Sequence, residues 1–199
     1  MSDTPVDTSK RTWIIASGCM GAVGSAFTAV PFVSSFQPSE RAKAAGAAVE
    51  ADLSALKPGE KMTVEWRGKP VWVVRRTPEQ IAALPTLDAQ LADPKSQRKP
   101  DELTPDYARN EVRSIKPEYL VVVGICTHLG CSPSEKFQAG PQPSLPDDWK
   151  GGFFCPCHGS TFDLAGRVFK NKPAPDNLEI PPHMYLSVRR LLIGEDKKA

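Results

Sequence analysis

The longest apolar segment of the chain lies near its N-terminus. Residues 13–33 include no charged side chain, and a helix of that length spans about 31 Å, the thickness of the hydrocarbon core of a bilayer. Lys10 and Arg11 precede the segment. The positive-inside rule therefore predicts a single-pass transmembrane helix with a cytoplasmic N-terminus. A cleaved signal peptide is the alternative, although the apolar run is longer than the core of a typical signal peptide.

The next segment, residues 37–56, is polar, rich in alanine and free of aromatic residues. A segment with so little to bury is typical of a linker. The sequence thus predicts three parts: an N-terminal tip and anchor (1–36), a flexible hinge or linker (37–56) and a head domain (57–199).

Strand patterns dominate the head. Apolar and β-branched residues at 62–66 and 71–74 flank a turn at 67–70, which predicts a β-hairpin. Residues 119–125 form an uninterrupted apolar run, typical of a buried strand. Shorter strands are predicted at 153–154, around 167–169 and within 184–192. The predicted fold class is mainly β, with an antiparallel head.

One helical pattern interrupts these strands. Apolar side chains at Ile81, Leu84, Leu87 and Leu91 follow a helical stripe over residues 78–92, with Pro85 as a possible break. A polar stretch continues to about residue 116, so this region is predicted as a short helix and loop insertion in the β head.

Length and charge restrict the function classes. A chain of 199 residues is expected to form one principal domain with appendages. Its net charge of +2 gives no electrostatic case for nucleic-acid binding.

Two short segments contain most of the residues that can bind a metal. They are Cys126-Thr127-His128-Leu129-Gly130-Cys131 and Cys155-Pro156-Cys157-His158-Gly159-Ser160. Each offers one Cys and one His to a shared centre and has one further Cys. Thiolates and imidazoles in equal number are the ligands of a Rieske [2Fe–2S] cluster, in which two His replace two Cys on one iron. A structural zinc site is the alternative, because short Cys/His pairs also bind zinc.

Both segments resemble the Rieske iron–sulfur subunit of cytochrome bc complexes, and the anchor, linker and head occur in the same order. The resemblance implies that Cys126 and Cys155 bind the inner iron of one [2Fe–2S] cluster and that His128 and His158 bind the outer iron. It also implies a disulfide between Cys131 and Cys157. Disulfides persist in oxidising compartments, which places the head outside the cytoplasm.

The resemblance extends to residues around the cluster. It implies that Ser160 donates a hydrogen bond to a bridging sulfide, and that Leu129, beside Gly130, lies at the tip that meets the quinol-site partner. Pro173 belongs to a proline loop that covers the cluster. The first residue of this loop is Lys172 here, where the family usually has Gly.

Phe162 departs from the pattern of the high-potential members, which carry a Tyr whose hydroxyl bonds to a cysteine sulfur. A hydrogen bond worth about 1–1.5 kcal/mol corresponds to roughly 40–65 mV for a one-electron couple. The sequence therefore predicts a reduction potential below that of the Tyr-bearing members. The third histidine, His183, is predicted as a loop or strand-entry residue.

The function that the resemblance implies is that of the electron-transfer subunit of quinol–cytochrome c oxidoreductase, an enzyme complex of bacterial inner membranes. Its partners are cytochrome b and a membrane-anchored c-type cytochrome in a dimeric complex, with the head in the periplasm. His158 is the predicted catalytic residue, which accepts the proton of quinol. The head then moves to deliver one electron to the c-type cytochrome, which contributes to proton translocation.

Three alternatives remain at this point. They are a soluble Rieske ferredoxin that serves an oxygenase, a zinc-stabilised binding module, and a plastoquinol-linked relative with the same chemistry. The anchor and the second cysteine pair argue against the ferredoxin.

Overall fold

The computed structural model describes residues 7–39, 46–99 and 102–196. The chain forms two compact units that divide between residues 44 and 45. The first contains the N-terminal helix, and the second is the head.

Over residues 7–39, the described part of the N-terminal unit, the chain forms one long helix, α1 (Thr8–Ser35). The side chain of Asp7 caps it by accepting hydrogen bonds from the amides of Ser9 and Lys10. None of its residues is buried, and its most apolar window has a mean hydropathy of 1.5. Its length and composition suit a membrane span, as the sequence predicted.

In the part of the head that the structure describes, the strands form three antiparallel sheets of three strands each. The first joins β1 (Val49–Asp52), β9 (Arg190–Ile193) and β8 (His183–Tyr185) in that order. The second joins β2 (Lys61–Trp66), β3 (Lys69–Arg75) and β4 (Tyr119–Val123). The third joins β5 (Ser134–Lys136), β6 (Gly152–Phe154) and β7 (Thr161–Asp163). The predicted mainly β, antiparallel fold class is confirmed.

The predicted linker over 37–56 is too long, because β1 lies within it. β1 pairs along its whole length with β9, and Ala51, Leu53 and Leu56 bury their side chains in the head. The few apolar residues of this segment do not predict a strand by themselves, because β1 forms only by pairing with β9. Residues 40–45 of the predicted linker lie outside the described residues.

The predicted hairpin forms from β2 and β3. Trp66 pairs with Lys69, so Arg67 and Gly68 alone make the turn, and both have positive φ, 52° and 70°. This conformation matches the twist of the flanking strands, and glycine adopts it without strain.

The helix predicted over 78–92 is shorter than expected. α2 (Pro78–Ala83) begins with a capping box between Thr77 and Gln80, and a 3₁₀ helix (Leu84–Gln90) follows it. Pro85 explains the change, because it has no N–H for the α-helical hydrogen bond and its ring clashes with the preceding turn. Leu84 and Leu87 are nevertheless buried, as the stripe predicted.

The C-terminal part differs from prediction at one place. Residues 167–169 form only isolated bridges, from Val168 to Phe162 and from Phe169 to Leu91, where a short strand was expected. β8 and β9 form a hairpin over residues 183–193, which includes the predicted segment 184–192. His183 is the first residue of β8 and is buried, which confirms it as a strand-entry residue.

The central sheet separates two hydrophobic cores. Trp72 and Val74 of β3, with Leu120 and Val122 of β4, face one core. The intervening residues of both strands face a second core, which β1 and β9 cover. Since successive side chains of a strand point to opposite faces, burial on both faces explains the uninterrupted apolar pattern of these strands.

Candidate metal centre

Two loops with the same backbone closure form the site. Loop 1 (126–131) follows β4, and loop 2 (155–160) connects β6 to β7. In loop 1 the amide of Cys126 donates to the carbonyl of Cys131 at 2.7 Å, and the amide of Gly130 donates to the carbonyl of Cys126 at 3.1 Å. Loop 2 repeats both bonds, from Cys155 to Ser160 at 2.7 Å and from Gly159 to Cys155 at 2.9 Å.

The fifth residue of each loop is a glycine with positive φ, 81° at Gly130 and 75° at Gly159. This left-handed conformation turns the chain back so that both hydrogen bonds form, and it strains any residue with a Cβ. The two glycines therefore fix the frame on which the other side chains of the loops are placed.

Each loop begins with a buried cysteine. Cys126 and Cys155 are both 2% exposed and are not in a disulfide. Burial raises the pKa of the Cys126 thiol, while hydrogen bonds from the His128 amide and the Ser160 hydroxyl act in the opposite direction. Cys155 lies next to it and also raises that pKa. Two thiols in contact at the base of the loops can bind one metal ion together.

The remaining two cysteines of the loops are bonded to each other. Cys131 and Cys157 form a disulfide with a Cα–Cα distance of 6.7 Å, and this confirms the pairing that the resemblance implied. Their sulfurs and that of Cys155 lie within 4.8 Å of one another, but only Cys155 keeps a free thiol. The disulfide ties loop 1 to loop 2 beside the thiols.

The two loop histidines lie together on the outer side of the site. Their rings meet edge to face with centroids 4.7 Å apart. His158 is exposed, whereas His128 is half-buried. Nδ1 of His128 is buried without a hydrogen-bond partner among the described residues. A buried ring nitrogen without a partner carries a desolvation penalty that a metal ion at this position would remove.

Hydrogen bonds connect the proline loop (172–175) to loop 2, and the residue after the proline loop to loop 1. The amide of Ala174 donates to the Ser160 hydroxyl at 3.0 Å. Since that bond uses a lone pair of the oxygen, the hydroxyl proton remains available to a sulfur. The hydroxyl of Thr127 donates to the carbonyl of Asp176 at 2.7 Å. The contact of Thr127 was missed by sequence analysis, because no local pattern reveals a partner 49 residues away.

Other predicted residues surround these groups. Leu129 is 71% exposed at the tip of loop 1, beside Gly130. Pro173 and Lys172 are exposed on the proline loop, while Ala174 between the two prolines is buried. Phe162 is 0% exposed in β7 and belongs to the core that contains both loop thiols.

The donor set fits a [2Fe–2S] cluster of mixed ligation. The thiols are buried, the imidazoles are more exposed, and Nδ1 of His128 is buried with no hydrogen-bond partner among the described residues. Such a gradient of burial matches a cluster whose inner iron takes sulfur ligands and whose outer iron takes nitrogen ligands. The site therefore has the chemistry of a Rieske protein.

Comparisons with known proteins agree with this chemistry. The Rieske [2Fe-2S] domain family matches residues 102–182, and the family described as the ubiquinol–cytochrome c reductase Fe-S subunit TAT signal matches residues 8–39. The ubiquinol–cytochrome c reductase iron–sulfur subunit of Allochromatium vinosum is 59% identical over 188 residues, which is 94% of this chain and 89% of that protein. The subunit of the same name from Rhodospirillum rubrum is 39% identical over 189 residues, 94% of this chain and 93% of that protein. A solved structure titled hyperthermophilic respiratory complex III has 29% identity, covers 89% of this chain and 97% of its own, and gives a TM-score of 0.47.

The fold and the paired loops define the chain as a Rieske-type iron–sulfur protein. The identity to the bacterial subunits is more specific: this chain belongs to the family of ubiquinol–cytochrome c reductase iron–sulfur subunits. It is an electron-transfer protein, and its cofactor is a Rieske [2Fe–2S] cluster.

Proposed function

We propose that this protein carries one electron from quinol to a c-type cytochrome within a cytochrome bc complex. Cys126 and Cys155 hold the inner iron, and His128 and His158 hold the outer iron. The observation that supports this ligand set best is the pair of edge-to-face imidazoles above two buried free thiols. When bound, the cluster supplies the one-electron acceptor.

His158 is the residue proposed to meet quinol. Its imidazole is exposed, whereas the disulfide and the proline loop hold the backbone around it. One ring nitrogen would bind the outer iron, which would leave the other free to hydrogen-bond a quinol hydroxyl and take its proton. Leu129, on the other loop, offers an exposed apolar surface for the partner that binds quinol.

Movement of the head is the second part of the proposal. Division of the chain into two compact units is the organisation that such a movement needs. The proposed partners are cytochrome b and a membrane-anchored c-type cytochrome in a dimeric complex. The proposed setting is a bacterial inner membrane, with a cytoplasmic N-terminus and a periplasmic head. A disulfide joining the two ligand loops is compatible with that oxidising compartment.

The ligand set is tested by His158→Cys in the full-length protein. We expect loss of the Rieske signal in electron paramagnetic resonance and loss of quinol oxidation. His183→Gln is the matched control, because this buried histidine lies in β8 and its Nδ1 is 2.8 Å from the carbonyl of Pro181. A normal signal in His158→Cys would exclude His158 from the ligands.

A further inference from the structure

Arg113 is a buried cation whose side-chain hydrogen bonds, among the described residues, all go to neutral oxygens. The residue is 0% exposed. Its Nη1 donates to the carbonyls of Ala165 and Gly166 at 2.9 and 3.2 Å. Its Nη2 donates to the hydroxyl of Thr104 at 2.7 Å and to the carbonyl of Leu178 at 2.8 Å. Four hydrogen bonds to three chain segments hold the guanidinium in one place.

These contacts join the two segments that leave the metal centre. Ala165 and Gly166 lie in the turn that follows loop 2 and β7, and Leu178 follows the proline loop. Arg113 therefore fixes the distance between the chain leaving loop 2 and the chain leaving the proline loop. The hydrogen bond from the Ala174 amide to the Ser160 hydroxyl connects loop 2 and the proline loop a second time, at the site itself.

The guanidinium also borders the core of the metal centre. A Cβ placed on Gly166 would lie 3.1 Å from Nη1 of Arg113 and 3.4 Å from both Leu178 Cβ and Val122 Cγ2. Leu178 and Val122 belong to the core that contains the two loop thiols. Residues of the apolar core that contains the loop thiols therefore lie next to the cation, and an apolar medium screens charge less than water does.

The charge of Arg113 is present at neutral pH and has no ion pair in direct contact among the described residues. Burial lowers the pKa of Arg113 to about 10, which leaves it protonated. Asp163 and Asp93 attract it and Arg167 repels it. Asp163 is itself paired with Arg167, with Nε 2.8 Å from Oδ2. The positive electrostatic field of Arg113 is therefore only partly cancelled by the neighbouring carboxylates.

We propose that Arg113 is a positioning residue for the metal centre and a fixed positive charge that raises the reduction potential of its cluster. Reduction adds one negative charge to the cluster, and a buried cation beside the same core stabilises that charge. The effect is opposite in sign to the loss of the hydroxyl donor at Phe162. The inference rests on the ligand set proposed above.

Redox titration of the cluster-loaded, full-length protein in detergent tests the proposal, with paramagnetic resonance as the readout. Arg113→Gln removes the charge and keeps two N–H donors, so we expect an intact signal with a lower midpoint potential. The equilibrium constant for reduction by a fixed donor should fall several-fold. Arg113→Lys should restore most of the potential at mildly acidic pH, where a buried lysine keeps its proton. Equal potentials for the Gln variant and the wild type overturn the proposal.

Thr104→Val distinguishes an effect of the charge of Arg113 from an effect of looser packing around it. The substitution removes one hydrogen bond of Arg113 but keeps the cation. We expect a lower thermal midpoint with an unchanged potential. A fall in potential as large as that of Arg113→Gln would assign the effect to loosening and overturn the charge assignment.

If Arg113→Gln fails to retain its cluster, a variant with the opposite expected change in reduction potential tests the proposal. Asp163→Asn removes a buried negative charge, so the proposal expects a higher potential, and an equal or lower one overturns it. Failure of the ligand set is recognised separately, by a normal signal in His158→Cys.

Discussion

The substitution Phe162→Tyr tests how this family member sets its potential. Ser160 and Phe162 are two residues apart, so their side chains leave the chain on the same side. The Ser160 hydroxyl reaches the sulfur of Cys126. Phe162 is fully buried in the core that contains Cys126 and Cys155. A hydroxyl on its ring is therefore directed towards the cysteine side of the metal centre.

The expected effect is a higher potential. A hydrogen bond to a cysteine sulfur stabilises the more negative, reduced cluster more than the oxidised one. If the new bond contributes about 1–1.5 kcal/mol to that difference, the midpoint rises by roughly 40–65 mV. Redox titration of the full-length protein, followed by paramagnetic resonance, measures the midpoint directly.

Phe137→Tyr is the matched control for this substitution. Phe137 packs against the same core, with its ring edge-on to that of Phe153, but it lies outside the ligand loops. It gains the same hydroxyl, and we expect no change in its potential. An intact signal with an unchanged or lower potential in Phe162→Tyr would refute the argument, as would an equal rise in the control.

Three further predictions concern stability. Replacing Cys131 and Cys157 together by Ser should lower the free energy of unfolding by about 3.5 kcal/mol in denaturant titration, because the disulfide closes a loop of 26 residues. Gly124→Ala should lower it by about 1–3 kcal/mol in the same assay, since the new methyl group would collide with the ring of Trp72. Burial lowers the pKa of His183, so the unfolded chain binds its proton first and stability falls as pH drops below about 6.5, by at most about 1.4 kcal/mol per pH unit. Unfolding curves of His183→Asn at several pH values should lack this contribution.

The elements that sequence analysis predicted correctly are those with a strong local signal. The hairpin of β2 and β3 has strands of apolar and β-branched residues around Arg67 and Gly68, and β4 has an uninterrupted apolar run. The cysteine and histidine spacing identified both loops. In each case the residues that determine the structure are neighbours in the sequence, so a short window contains the information.

The elements that it missed depend on distant partners. β1 is a strand because β9 pairs with it, and the two are separated by most of the head. Burial of Arg113 follows from carbonyl groups 52 to 65 residues further along the chain. A charged residue in a polar stretch carries no local sign of this environment. Pro85, in contrast, was recognised in the sequence as a possible break. In the structure the α-helix ends at Ala83, and a 3₁₀ helix follows it.

The two loops share the same backbone hydrogen bonds but carry different side chains, and this difference determines which groups the site exposes. Counted from the first cysteine, the third position is His128 in loop 1 and Cys157 in loop 2. The fourth is Leu129 in loop 1 and His158 in loop 2, and both of these side chains are exposed. Equivalent positions of the two loops thus present an apolar side chain and an imidazole to solvent. In the proposed function, a partner that binds quinol and covers both side chains would exclude water from the ring of His158.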